Sequence, residues 1–328
     1  MGAGSWSSST YDKVTRSKID SGTTFSYSAA AYASGRYEVH DSLNVKGSHG
    51  SLVRESRDSD EHPESTPIIV GFDETGSMGD NPAILQTNLK ELFGMLVSRG
   101  IVSDPQVAIA AYGDMYCDRV PVQFGQFESD NRIDDELDNI LVEGCGGGNN
   151  GETSAVIPYY AAKYVQTDAW DKRHKKGYMF LIGDECSLDL QKSQLHEFLG
   201  EKAQDGVTAA DAYEMALEKW NVYFLLIDDW AAEYQNSYAK YASYIGNDHV
   251  IKLQDANTAA ACIASLIALS EKTAAPRTIG TELAKAGFDK DVISRATREI
   301  GAIAIYDGTG DGDTSIEAAD ASYADLSL

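Results

Sequence analysis

Short unbroken apolar runs and longer stretches with helical spacing alternate along most of the chain. The run IIVGF at 68–72 is typical of a strand buried on both faces, because a strand with one solvated face alternates apolar and polar residues. Similar runs predict further buried strands at 107–112, 178–182, 222–227 and 250–253. Weaker alternation over 120–124 predicts an edge strand.

Between these runs, apolar residues recur at the spacing of one helical face. The first such helix begins at the cap-and-proline pair Asn81-Pro82, turns Leu85 and Leu89 toward the core, and ends before Gly100. Further helices are predicted at 133–141, 153–165, 193–200, 209–220, 232–245, 257–269 and 289–301. Alternating strands and helices predict an α/β fold with a doubly wound, mainly parallel sheet and helices on both faces.

The pattern divides the chain into three parts, with the α/β domain at 67–272. Residues 1–66 are rich in Ser, Tyr and Gly without a sustained period, so we predict a partly irregular arm, with disorder as the alternative. Its candidate anchors are three tyrosines, Tyr27, Tyr32 and Tyr37. Residues 273–328 are predicted to form a helix followed by an acidic tail rich in Gly and Asp.

The net charge of the chain limits the classes of function that the sequence allows. The chain has 51 acidic and 27 basic residues, for a formal net charge of -24. This argues against nucleic-acid binding, which needs clustered Lys and Arg, and favours cations and basic partners. The longest apolar stretch, 259–269, is too short to span a membrane. With no signal-peptide pattern and no CxxC spacing among the four cysteines, we predict a cytoplasmic protein.

Three polar clusters follow predicted strands or lie in loops that can reach the strand ends. They are DETGS at 73–77, GGGNNGET at 146–153 and GDE at 183–185. Ligands of open parallel sheets bind beyond the carboxyl ends of the strands, where the strand order reverses. The three clusters are therefore expected to meet at one site.

In this order, the clusters resemble the metal-ion-dependent adhesion site of von Willebrand factor A (vWA) domains, and the resemblance covers 67 to about 270. The family's first motif, Asp-x-Ser-x-Ser, corresponds to Asp73, Thr75 and Ser77, with the middle hydroxyl carried by Thr. The resemblance implies that the two hydroxyls bind the metal ion directly. It also implies that Asp73 or Asp184 often binds the ion through water.

The resemblance also implies which residues are the other ligands of the metal ion. The family's separate threonine corresponds best to Thr153, with Glu152 as the alternative, and its late aspartate corresponds to Asp184. Hydroxyls and separated carboxylates form an all-oxygen site of low charge, which favours Mg²⁺ over Ca²⁺ and allows Mn²⁺ to substitute. In the family, a partner's Asp or Glu fills the open coordination position. Glu74, Glu152 and Glu185 are expected to form an acidic rim that selects partner carboxylates flanked by Lys or Arg.

Two rival sites are weaker. Haloacid-dehalogenase-type phosphatases also place an Asp after the first strand, but their second Asp, a general acid, is Thr75 here. The tail at 307–317 resembles half of a calcium loop but lacks its bidentate Glu at the last position.

We therefore expect a non-enzymatic, metal-dependent protein-interaction module similar to intracellular vWA proteins of microbes and their viruses. Many such proteins are adaptors of MoxR-type AAA+ ATPases, and this resemblance implies an ATPase partner. The alternative is a structural or virion-associated assembly component.

Overall fold

The computed structural model describes residues 25–98, 100–144, 151–227 and 231–301. Within them, strands form one large sheet and two small two-stranded sheets. The strands, in chain order, are β1 (Lys46–Gly47), β2 (Gly50–Ser51), β3 (Arg54–Ser56), β4 (Thr66–Asp73), β5 (Pro105–Tyr112), β6 (Val122–Phe124), β7 (Val165–Thr167), β8 (Gly177–Gly183), β9 (Trp220–Ile227) and β10 (Val250–Leu253).

The large sheet has the strand order β10-β9-β8-β4-β5-β6. Every neighbouring pair is parallel except β5 and β6, which are antiparallel. The predicted edge strand at 120–124 is thus confirmed as β6. Because β4 lies between β5 and β8, the chain leaves β4 toward one side of the sheet and later returns on the other. The order of strands therefore reverses beside β4.

Helices occupy most connections between the parallel strands, since a parallel crossover must pass back along the sheet. They are α1 (Ser26–Ser34), α2 (Asn81–Ser98), α3 (Arg132–Asp138), α4 (Val156–Tyr164), α5 (Asp168–Arg173), α6 (Lys192–Leu199), α7 (Ala209–Leu217), α8 (Ala231–Ile245), α9 (Ala259–Ser270), α10 (Ile279–Ala286) and α11 (Lys290–Gly301). None of these helices in the described ranges has the length and apolar character needed to cross a membrane.

The hydrophobic core has two layers, one on each face of the large sheet. Ile68 and Val70 of β4 join the layer that contains α2 and α9, whereas Ile69 joins the layer that contains α4, α7 and α8. Because both faces are covered, every residue of β4 is buried. Loss of this apolar surface from water is the main source of stability. The predicted α/β class, a doubly wound and mainly parallel sheet with helices on both faces, is confirmed.

Some elements differ from the sequence prediction. The helix predicted at 133–141 ends at Asp138, because the backbone of Leu141 binds the side-chain amide of Gln123 in β6 instead of continuing the helix (2.7 and 2.8 Å). The apolar pattern also did not predict α5 or α10. Helix α10 is amphipathic and buries Ile279 and Leu283.

The N-terminal arm contains a helix that binds the α/β domain. Ser28 Oγ in α1 donates to the Ile140 carbonyl (2.9 Å) and accepts from the Val142 amide (2.8 Å). Tyr32 Oη donates to the Glu143 carbonyl (2.7 Å), while Tyr27 bonds within the arm. Residues 1–24 and the tail at 307–317 lie outside the described residues, and the boundaries at 66 and 272 stay predictions.

The buried carboxyl of Glu136, in α3, allows the packing of this helix to be tested. Its side chain is buried against Gly125, with Oε1 accepting from the Gln126 amide (2.9 Å) and Oε2 without a hydrogen-bond partner in the described chain. Burial raises the pKa of Glu136 to about 8. Between the ordinary pKa and this value, the unfolded chain binds fewer protons than the native one, so stability falls as pH rises.

Glu136→Gln should therefore raise the free energy of unfolding by about 1–3 kcal/mol at pH ~8.5 and change it little at pH ~4.5. Gln keeps the acceptor for Gln126. Urea unfolding at both pH values measures the difference, with exposed Asp135→Asn on the same helix as the control. An equal effect of Glu136→Gln at both pH values would show that the carboxyl is not held neutral.

Candidate metal centre

Two neighbouring strands, β4 and β8, carry candidate residues to one edge of the sheet. Asp73, the last residue of β4, pairs in register with Tyr112 of β5, and the preceding Phe72 pairs with Ile182 of β8. Asp184 follows directly after β8. Because the strands are parallel, their carboxyl ends coincide. The first and third sequence clusters therefore lie together beside β4, where the strand order reverses.

The first cluster folds into a tight turn around the Asp73 carboxylate. Asp73 Oδ1 accepts hydrogen bonds from the Thr75 amide (2.8 Å) and from Thr75 Oγ1 (2.6 Å). Such self-capping is a general property of Asp two residues before a turn amide. A short 3-10 turn, Gly76–Met78, follows and leads toward α2. The turn thus places Thr75 and Ser77 on the same side as Asp73.

Four oxygens form a row across the site. Thr75 Oγ1 lies 3.2 Å from Ser77 Oγ, which in turn donates to Asp184 Oδ1 at 3.2 Å. With the 2.6 Å bond from Thr75 Oγ1 to Asp73 Oδ1, the row joins the two strand ends. Neighbouring ligands of octahedral Mg²⁺, at ~2.1 Å from the ion, are separated by ~3.0 Å. The spacing and the hard oxygen chemistry of these four residues fit that ion.

The row is open to solvent at Ser77, its third oxygen. Asp73, Thr75 and Asp184 are buried, with 1%, 3% and 8% of their surface exposed, whereas Ser77 is exposed. The oxygens therefore sit just below the surface and can be approached from the side of Ser77.

The electrostatics of the site also favour a cation. Burial, and then the charge of Asp184, raise the pKa of Asp73 well above its usual value, although the hydrogen bonds from Thr75 act in the opposite direction. Burial and the Asp73 charge likewise raise the pKa of the neighbouring Tyr112 hydroxyl. A bound cation would relieve the repulsion between the two carboxylates.

Glu152 and Thr153 have different surroundings. Thr153 Oγ1 is fully buried, donates to the Gly113 carbonyl (2.6 Å) and accepts from the Met115 amide (3.0 Å). Glu152 instead has a buried Oε2 without a hydrogen-bond partner in the described chain. Burial, and then the charge of Asp73, raise the pKa of Glu152 to about 10. The Thr153 hydroxyl thus already makes two hydrogen bonds within the described chain, whereas Glu152 keeps an unbonded oxygen. Which of the two binds the metal ion stays a prediction.

The expected acidic rim is wrong for two of its three members. Glu74 and Glu152 are only 1% and 4% exposed, and Glu185 alone is partly exposed. Glu74 turns inward because its Oε2 accepts from the Glu143 amide (2.5 Å). A local sequence pattern does not show which way this side chain turns.

Sequence reasoning also missed acidic residues that follow β5. Asp114 and Asp118 lie at the same sheet edge as Asp73 and bind the backbone of their own loop. The available signal was a pair of Asp residues after the predicted strand at 107–112. No group of three or more His, Cys, Asp or Glu side chains in the described ranges is arranged to hold a metal ion. The candidate site differs from such a group because two of its four oxygens are hydroxyls.

Comparisons with known proteins give a fold-level likeness. No family model matches the chain, and no curated protein matches it. The pilus adhesin SpaC from Lactobacillus rhamnosus GG, in its open conformation, aligns with a TM-score of 0.42 and 11% identity over 79% of this chain and 33% of its own. Proximal thread matrix protein 1 from the mussel byssus aligns with a TM-score of 0.43 and 12% identity over 62% and 47%.

A further structure of the same mussel protein has a metal-ion-dependent adhesion site (MIDAS) motif occupied by zinc. It aligns with a TM-score of 0.41 and 12% identity, over 63% of this chain and 46% of its own length. The chain spans less than half the length of each of these three structures. Likenesses at these scores establish neither family nor function. The α/β assignment therefore stands on the strand order and pairing of the chain itself.

Proposed function

We propose that the chain is a metal-dependent protein-interaction module that binds a partner through a divalent cation, Mg²⁺ in the first instance. The observation that supports this most strongly is the row of four oxygens from Asp73 to Asp184, with Ser77 as its exposed member. Mg²⁺ bound there would supply an electrophilic position for a carboxylate of the partner.

The residues of the site have separate tasks. Thr75 and Ser77 would supply neutral hydroxyl oxygens, which leave the positive charge of the ion largely uncompensated. Asp184 would add one carboxylate, and Asp73 would orient Thr75 through its two hydrogen bonds. Because few charges neutralise the ion, a carboxylate from outside would still be attracted to it.

The partner's class follows from charge. The chain carries a net charge of -24, so an acidic ligand must arrive on a surface that is otherwise basic. We propose a partner Asp or Glu flanked by Lys or Arg. The vWA resemblance suggests an AAA+ ATPase of the MoxR type as that partner, with this chain as its adaptor.

Native co-purification tests the adaptor role. Tagged full-length chain, purified from its own cells in Mg²⁺, should retain an ATPase, and washing with EDTA should release it. Symmetric multimers of this chain without an ATPase would instead favour the assembly role and rule out the adaptor.

We also propose that the chain is not a phosphatase. Thr75 cannot protonate a leaving group, and its hydroxyl donates a hydrogen bond to Asp73 Oδ1. Hydrolysis of an aryl phosphate in Mg²⁺ should therefore stay at the background rate. Turnover that disappears in Asp73→Asn would contradict the non-enzymatic assignment.

A further inference from the structure

A second group of carboxylates lies behind the metal-binding turn. We call it the Glu74 cluster, and its members are Glu74, Asp114, Asp118 and Glu143, arranged around Gly113. Glu74 is buried, and its Oε1 has no hydrogen-bond partner in the described chain. A buried carboxylate oxygen without a partner is costly, because it has lost its hydration and gained nothing in return. Its presence points to a ligand that the protein residues do not supply.

Gly113 shows where this oxygen points. A β-carbon built on Gly113 would lie 3.4 Å from Glu74 Oε1 and 2.5 Å from Asp118 Oδ2. The two carboxylate oxygens therefore face the same small space, which exists because Gly113 has no side chain. Any larger residue at this position would press against Asp118.

The surroundings of Glu74 are acidic. The charged groups that act most strongly on Glu74 are Asp118, Glu143 and Asp73, all of them acidic. The basic residue next in the chain, Arg119, places its guanidinium over the ring of Tyr37, 4.9 Å from the ring centre. Without a counter-ion, this arrangement would bring buried like charges together.

Each member of the cluster accepts a hydrogen bond from a backbone amide. Glu74 Oε2 accepts from the Glu143 amide (2.5 Å), and Asp118 Oδ2 accepts from the Asp114 amide (2.7 Å). Asp114 Oδ1 accepts from the Tyr116 amide (2.8 Å), and Glu143 Oε2 accepts from the Arg119 amide (2.7 Å). These bonds fix the loop after β5. Glu74 Oε1, which has no hydrogen-bond partner in the described chain, faces the space before Gly113 together with the hydrogen-bonded Asp118 Oδ2. The cluster therefore offers two convergent carboxylates rather than three.

We propose that Glu74 and Asp118 hold a second divalent cation between them, in front of Gly113 and separate from the site at Asp73, Thr75, Ser77 and Asp184. Mg²⁺ is commonly held by one or two protein carboxylates with water in the remaining positions. Tyr116 and Cys117 both contact Asp114 of the cluster and are exposed, so solvent is close by. The ion would tie the metal-binding turn to the loop after β5.

Counting bound ions tests this proposal. Full-length chain stripped with chelator is titrated with Mn²⁺ in ~0.15 M salt, where exposed charges are screened, and free Mn²⁺ is followed by electron paramagnetic resonance. Glu74→Gln keeps the acceptor for the Glu143 amide but loses the charge, and Asp118→Asn does the same on the other side. Asp135→Asn, an exposed change of the same kind, is the control, and Thr75→Ala disables the first site.

The wild type and Asp135→Asn should each bind two ions. Glu74→Gln and Asp118→Asn should lose one of them, with affinity at that site reduced ~100-fold or more, and keep the ion that Thr75→Ala removes. If Glu74→Gln fails to fold, as judged by circular dichroism, Asp118→Asn decides. A wild type with a single ion that survives both substitutions would overturn the proposal and leave the first site intact. A single ion lost in Glu74→Gln but kept in Thr75→Ala would support the proposal and contradict the first site.

Discussion

Binding of the chain to its partner is expected to weaken ~30-fold or more in Ser77→Ala. The substitution removes a ligand of the ion that meets the partner carboxylate, and loss of such a desolvated charge contact costs about 2–5 kcal/mol. Ser77 is the exposed member of the oxygen row, so its loss opens no cavity and folding should survive. A pull-down from native lysate, with Mg²⁺ and with EDTA, measures the effect on the partner retained by the wild type.

Ser243→Ala provides the matched control, since Ser243 is an exposed serine of α8 whose hydroxyl bonds only within its own helix turn. Like the wild type, Ser243→Ala should retain the partner in Mg²⁺ and release it in EDTA. A specific partner that stays bound to Ser77→Ala, in Mg²⁺ and in EDTA alike, would place the interaction surface away from the metal site, with the N-terminal arm as the next candidate.

Saturating Mg²⁺ is expected to stabilise the native chain. An ion that binds only the folded state adds RT ln(1 + [L]/Kd), or ~2.7 kcal/mol per site at ~100 Kd. Thr75→Ala should lose this contribution, because Thr75 Oγ1 lies at the centre of the row. Thermal melts in Mg²⁺, Mn²⁺ and EDTA measure the difference.

Thr87→Ala removes the same hydroxyl from an exposed position on α2, where it bonds the Ala83 carbonyl, and should melt like the wild type in every condition. If the wild type and Thr75→Ala gain equally from Mg²⁺, the ion does not bind through Thr75.

The large sheet was predictable because its chemistry is local. A strand buried on both faces must be apolar throughout, and runs such as 68–72 carry that requirement in their own residues. The helix α1 was not predictable in this way. Its sequence SYSAAAYAS has almost no apolar face, and it is held by hydrogen bonds from Ser28 and Tyr32 to residues more than a hundred positions away.

The residues of the candidate site were also predictable only where the local sequence decides their placement. Asp73, Thr75 and Ser77 lie within one turn, so their spacing in sequence fixes their proximity in space. Glu74, between them, turns away because of the Glu143 amide, a contact made across the fold. Which of two adjacent side chains faces a site is decided by such distant contacts.

The most direct test of the central claim is anomalous scattering from crystals grown with Mn²⁺ in place of Mg²⁺. We expect a peak within ~2.2 Å of Ser77 Oγ and Thr75 Oγ1, on the side that Asp184 faces. A well-ordered turn at Asp73 with no peak beside these oxygens, at saturating Mn²⁺, would contradict that claim.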